Sequence, residues 1–151
     1  MRRLLFVSLL MIAVLLAGCG GDDDKDNNNQ PAPTATRAIP DLAVTNVELS
    51  PAQFGVGQSF TIKVYVENVG SAASDKYDLK VNLRDVTRGT TSPIGSVQGQ
   101  SVAPGAEVLA YETGQRQINE TGSFQIQVEL VPAGSDGDAN NNRKNRAFSL
   151  Q

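Results

Sequence analysis

Residues 60–67 read Phe-Thr-Ile-Lys-Val-Tyr-Val-Glu, and their alternation decides the fold. In an extended chain Phe60, Ile62, Val64 and Val66 fall on one side, and Thr61, Lys63, Tyr65 and Glu67 on the other. Period two, rich in β-branched residues, marks a strand with one buried and one wet face. The pattern returns where Leu79, Val81 and Leu83 alternate with Lys80, Asn82 and Arg84. It returns again where Phe124, Ile126, Val128 and Leu130 alternate with Gln125, Gln127 and Glu129. Weaker strands are read at Leu42–Leu49, Ile94–Val97, Glu107–Glu112 and Arg146–Leu150. In the first of these the parity switches from Leu42/Val44 to Val47/Leu49, which predicts a bulge near Thr45–Asn46. Ser50-Pro51, Asn68-Val69-Gly70, Pro104-Gly105 and Pro132-Ala133-Gly134 supply turns. Seven strands with no helical period between them predict an all-β fold, an antiparallel seven-stranded β-sandwich, with a β-barrel as the alternative.

The chain has 151 residues, 13 Lys+Arg, 16 Asp+Glu, no His, no Trp, one Cys and two Met. Both Met, together with Arg2 and Arg3, lie in the first 18 residues, so removal of that segment leaves a more acidic chain than the formal net charge of −3. With no imidazole and one Cys, most zinc, haem and iron–sulfur chemistry lacks its usual nitrogen and sulfur ligands, and His-based catalysis is excluded. The acidity argues against a nucleic-acid partner, whose phosphates demand a basic face. One Cys permits no internal disulfide. The length fits one domain with a core that needs no bridge.

Met1-Arg2-Arg3 is a basic start, and Leu4–Ala17 follows with Ser8 its one polar residue. As a helix those fourteen residues span roughly 21 Å, short of the ~30 Å hydrocarbon core. They read as the apolar region of a signal peptide. Leu16-Ala17-Gly18-Cys19 closes it and resembles the lipobox of bacterial lipoproteins, which implies cleavage before Cys19 and its lipidation. Acyl chains contribute ~0.8 kcal/mol per buried CH₂, so more than one makes release from a membrane slow. By the same resemblance Gly20, where an Asp would retain the protein in an inner membrane, points onward to the outer membrane or cell surface. Gly20–Pro40 carries an acidic run, three Asn and three Pro with one sizeable apolar residue, Ile39. Such a segment is expected to stay disordered, with an r.m.s. reach of roughly 25 Å. The expected organisation is a signal peptide over 1–18, a lipidated Cys with its tether over 19–40, and the β-domain over 41–151.

Four short motifs within the β-domain occur in the order that CARDB-type modules (cell-adhesion-related, Ig/fibronectin III-like domains) show. These are Pro40-Asp41-Leu42, Asn68-Val69-Gly70, Ala103-Pro104-Gly105 and an Asn pair within Asn140-Asn141-Asn142. The chain resembles that family from Pro40 to Leu150. The resemblance implies an Ig-like sandwich with a non-catalytic adhesion or binding role. Gly134–Ala139 is shorter than the family's Glu-rich stretch. Phe124 stands where relatives often place Tyr, and leaves no hydroxyl to tie that strand to a loop.

Asp136-x-Asp138-x-Asn140 is the candidate metal site. Alternate oxygen side chains on a bend eased by Gly137 match the opening of a calcium loop, although Asn141 and Ala147 stand where an EF-hand needs Gly and Glu. The alternative is an Asx-rich turn satisfying local N–H groups. Arg143, Lys144 and Arg146 form a short basic patch beside it. Tyr65 and Tyr111 are candidate binding residues if they face water, where they would stack on sugars or anchor a partner. Of the carboxylates available for glycosidase-like pairing, Glu67, Glu107, Glu112 and Glu129, most alternate outward, and the chain is read as no enzyme.

The functional expectation is a lipid-anchored cell-envelope protein that displays a non-catalytic binding module. Its partners are the membrane through Cys19 and an envelope or extracellular protein or glycan; no cofactor is expected beyond the candidate calcium. The alternative is an inhibitor-like accessory module of a secreted or envelope hydrolase, with Arg88–Pro93 as its inserting loop. A spacer without a ligand is the third.

Overall fold

The computed structural model describes residues 36–151; the leader, Cys19 and the tether up to residue 35 lie outside the described residues. Each alternating stretch forms a strand, and most run past their apolar positions. The strands are β1 (Leu42–Ser50), β2 (Ser59–Asn68), β3 (Tyr77–Asp85), β4 (Thr90–Gly99), β5 (Glu107–Glu112), β6 (Arg116–Gln117), β7 (Gly122–Pro132) and β8 (Arg143–Leu150). All pairings are antiparallel. One sheet has the order β1-β2-β5 with β6 also on β2, and the other β4-β3-β7-β8. This is the expected sandwich.

The eighth strand is the two-residue β6, too short to show an alternation. It continues the line of β5 along β2. Between them Thr113 acts as a splice: its N–H donates to the Ile62 carbonyl, and its Oγ1 accepts from the Ile62 N–H. A side-chain oxygen thus replaces a missing backbone carbonyl in the ladder, which keeps a buried amide satisfied.

The core lies between the sheets. Ile62, Val64, Val66, Leu79, Val81 and Ile126 are wholly buried, each contributing roughly 1.5–3 kcal/mol relative to exposure. At one end Phe54 stacks on Phe60 at 4.3 Å, and Phe124 on Phe148 at 5.7 Å. Aromatic stacking closes the end where Phe124 lacks a tyrosine hydroxyl.

Three bulges set which side chains face inward. The first, at Thr45 between Val44 and Asn46, stands where the parity switch placed it. The second skips Ala110 of β5, and the third skips Ile94 of β4. Together they turn Tyr111 inward against the core and bring its hydroxyl over Gly95, where no side chain stands in the way. Edge strand β8 carries Lys144 and Arg146 opposite Val128 and Ile126, on the inner side of its sheet, yet both are exposed. Inward-pointing charges on an edge discourage strand pairing with other molecules.

Arg88–Pro93, expected as a loop, is part of a hairpin. Val86–Gly89 makes a tight turn, closed by Gly89 at φ 72°, and Thr90–Pro93 is already paired with Asn82–Asp85. Glycine suits that left-handed position.

Candidate functional site

Three of the family-like motifs knot the N-terminal end of β1 to the end of β2, and the Asn run joins them. The side chain of Asn68 is wholly buried and makes four hydrogen bonds. Its Oδ1 accepts from the N–H of Asp41 and of Gly70, and its Nδ2 donates to the carbonyls of Ala72 and Val102. Its own N–H donates to Ala106, and its carbonyl accepts from Gly105. Val69 N–H donates to Asp41, and Ser71 N–H to Ile39. Among the described residues tertiary hydrogen bonding therefore starts at Ile39, two residues ahead of the boundary expected at Asp41. The motifs first read as turn punctuation act as one clamp.

The Asn run extends it. Asn141 Nδ2 donates to Asp41 Oδ1, and Asn142 Nδ2 to Asp136 Oδ2. Their carbonyls accept from Val44 and Leu130 respectively. Asn141 and Asn142 are thus the structural pair, and their Oδ1 atoms are buried with no partner. Asp136 Oδ1 accepts from the N–H of Leu42 at 2.8 Å.

The structure divides the candidate calcium ladder. Asp136 faces β1 and Asn142, whereas Asp138 Oδ1 accepts from the N–H and Nδ2 of Asn140 in an Asx turn. The two aspartates serve different partners. Among the described residues no group of three His, Cys, Asp or Glu side chains converges as metal ligands would.

Tyr65 and Tyr111 also part company. Tyr65 sits half-buried on the outer face of the β1-β2-β5 sheet between Asn46 and Leu109, its hydroxyl donating to Glu48. Tyr111 does not lie on a wet face, because the Ala110 bulge turns it inward. Glu67, Glu107 and Glu112 share the outer face of the first sheet with Glu48 and a single Lys63. Glu129 lies on the opposite outer face, paired with Arg143. There Lys80, Arg84 and a row of amide side chains on β3, β7 and β8 accompany it. Asp78 lies on this face too, so the sandwich presents one acidic face and one amide-rich face with a slight cationic excess. Reading strands singly missed that row, because only the pairing register assembles it.

Near the β3–β4 turn, Arg88 donates through its guanidinium and its N–H to Asp85 and pairs with Glu120 as well. The Arg88 side-chain hydrogen bond, then its backbone N–H, hold the Asp85 carboxyl below the usual carboxylate range. A carboxyl depressed by folding stabilises above its unfolded pKa of about 3.9, and that contribution is lost as pH falls through the folded value. We expect Arg88→Met to move the Asp85 titration upward and to flatten the acid limb of stability against pH. Carboxyl NMR titration checks this; an unmoved Asp85 refutes it.

Comparison with known proteins places this geometry. The CARDB domain of the PF1109 protein of Pyrococcus furiosus, solved in complex with di-metal ions, is similar at a TM-score of 0.57 and 19% identity. That likeness covers 75% of this chain and 90% of the other. A domain of a protein assigned to the cell surface in Methanosarcina acetivorans is similar at 0.51 and 17%, covering 75% and 93%. A β-glucosidase of Erythrobacter marinus is similar at 0.51 and 16%, covering 74% of this chain but 16% of the enzyme. At these identities the likeness is one of fold. No curated protein matches the chain. Residues 39–146 match the CARDB family, from the first clamped residue to the middle of β8, and the chain belongs to that family.

Proposed function

We propose that this is a lipid-anchored cell-envelope protein displaying one non-catalytic binding module. The observation that carries the reading is the sequence order. A basic start, a short apolar run and Leu16-Ala17-Gly18-Cys19 stand ahead of a module whose hydrogen bonding begins at Ile39. A CARDB module placed behind such a start is positioned to meet envelope or extracellular components, and a similar domain comes from a protein assigned to the cell surface. The carboxylates support the non-catalytic part of the reading. Glu67 and Glu107 are cross-strand partners on an open sheet face, Glu112 lies at the far end of the same strand pair, and Glu129 is on the other sheet, so no two of them line a cleft. Arg88–Pro93, on which the inhibitor-like alternative rests, is a tight, strand-paired hairpin rather than an extended loop.

The test is full-length chain expressed in a bacterium with two membranes, fed a clickable fatty acid and then cross-linked. The expected result is acyl label and membrane fractionation in the parent, both absent in Cys19→Ala. A discrete envelope cross-link is also expected in the parent. Acyl label that survives Cys19→Ala removes the anchor. A labelled, surface-accessible chain with no cross-link removes the binding role.

A further inference from the structure

We propose that the outer face of the β4-β3-β7-β8 sheet binds a carboxylate-bearing polysaccharide. This rests on the reading of the chain as a displayed binding module, and it names the surface and the ligand class.

The register builds the site. Pro93, Asn82, Gln127 and Asn145 stand directly across from one another on all four strands. Strands lie ≈ 4.7–4.9 Å apart, so the four positions span about 14 Å and the three amides about 9.5 Å, the scale of a short oligosaccharide. Each amide offers both donors and an acceptor. Adjacent sugar hydroxyls need the same pair of functions, and planar amides at strand spacing present them in series. A shallow depression of about 260 Å³ opens on this row, lined by Asn82, Gln127, Glu129, Arg143 and Asn145.

Charge selects among sugars. Lys80 lies two residues from Asn82 along β3 on one side, and Arg84 two residues on the other, so the amide row runs between two cations. Both are exposed, and neither is in a salt bridge among the described residues. Two carboxylates share this face: Glu129, directly across from Lys80, is paired with Arg143 at 2.6 Å, and exposed Asp78 lies two residues from Lys80 along β3, so Lys80, Arg84 and Arg143 leave an excess of one positive charge. The opposite outer face has the reverse sign, with Glu48, Glu67, Glu107 and Glu112 against Lys63. In a chain of net charge −3, an anionic polymer is repelled by one face and accepted by the other. Gln125 and Gln127 are also joined by a hydrogen bond, which fixes the Gln127 amide before any ligand arrives.

The partner is an extended glycan rather than a nucleic acid or an acidic peptide. No aromatic ring stands on this face to stack a base. An acidic peptide would use Lys80 and Arg84 but leave the neutral amide row without a role. The surface is open and nearly flat, so affinity accumulates along the polymer and weakens with salt.

The purified full chain in detergent is tested for binding to immobilised polygalacturonate, its methyl ester, poly-L-glutamate and dextran. Binding to polygalacturonate is expected, with about tenfold or more loss for the methyl ester. The triple variant Asn82→Ala/Gln127→Ala/Asn145→Ala is expected to lose about tenfold or more at unchanged melting temperature. Lys80→Glu/Arg84→Glu is expected to abolish binding, and Glu67→Gln/Glu107→Gln on the other face to leave it intact. Equal binding to poly-L-glutamate with no effect of the amide triple reduces the surface to a charge patch and overturns the proposal. So does failure to bind polygalacturonate. If the envelope cross-link then persists in both face variants, the displayed-module reading stands while this surface is discarded; if it is absent from the parent, both fall.

Discussion

Asn68→Ala is expected to lower the unfolding free energy by roughly 3–5 kcal/mol, because it strips a buried position of four hydrogen bonds at once. The amide is wholly buried, and its partners are all backbone groups: the N–H of Asp41 and Gly70, and the carbonyls of Ala72 and Val102. Each net bond is worth only about 1 kcal/mol, but groups left without a partner lose their solvation as well. In a domain of this size the melting temperature should fall by about 15 °C. Asn68→Asp separates hydrogen bonding from shape. It keeps both acceptor bonds but sets a carboxylate against two carbonyl oxygens, so its folded pKa must rise. A raised carboxyl pKa makes stability fall as pH increases through the unfolded value. The Asp variant is therefore expected to regain stability in mild acid, where the Ala variant does not. A cost below about 1 kcal/mol for Asn68→Ala in urea unfolding would show that the clamp is peripheral.

The strands were legible where alternation was long enough to be unambiguous, as at Phe60–Val66 and Phe124–Leu130. The Thr45 bulge could be read because it shifts the apolar parity from Val44 to Val47 in the sequence itself. The bulges at Ala110 and Ile94 could not. Small or apolar residues fill both parities there, so nothing in the one-dimensional pattern shows the skip, and Tyr111 is turned inward unannounced. The Asp136–Asp138–Asn140 spacing left two outcomes open, and it gave no sign that the two aspartates take different hydrogen-bond donors. Leu42, 94 residues earlier in the chain, captures Asp136, while Asn140 captures Asp138. Local spacing carries no record of such a distant donor. The amide row of Asn82, Gln127 and Asn145 was hidden for a related reason, since it exists only once two pairing registers are known.

Gly70→Ala is expected to cost about 3 kcal/mol, because at this position there is no room for a methyl group and no side chain able to yield. A Cβ on residue 70 would lie 2.4 Å from Asp41 N, 2.5 Å from Ile39 O and 2.6 Å from Pro40 C. All three are backbone atoms, so relief requires moving the Ile39–Asp41 segment off the turn. That movement breaks the bonds from Val69 to Asp41 and from Ser71 to Ile39, and pulls Asp41 away from both Asn68 and Asn141. Amide exchange at Val69, Ser71 and Val44 should accelerate, while Ile126 and Val128 in the central strand β7 stay protected. Gly114→Ala is the control, with nothing near its added methyl, and its effect should stay within about 0.5 kcal/mol. Because Asn68→Ala and Gly70→Ala release the same segment, their double variant should cost clearly less than the sum. Additive costs would mean that the side chain of Asn68 and the bare backbone of Gly70 hold separate structures. Sub-additive costs make them one clamp, in which the buried amide of Asn68 and the bare backbone of Gly70 together hold Ile39–Asp41 against the end of β2.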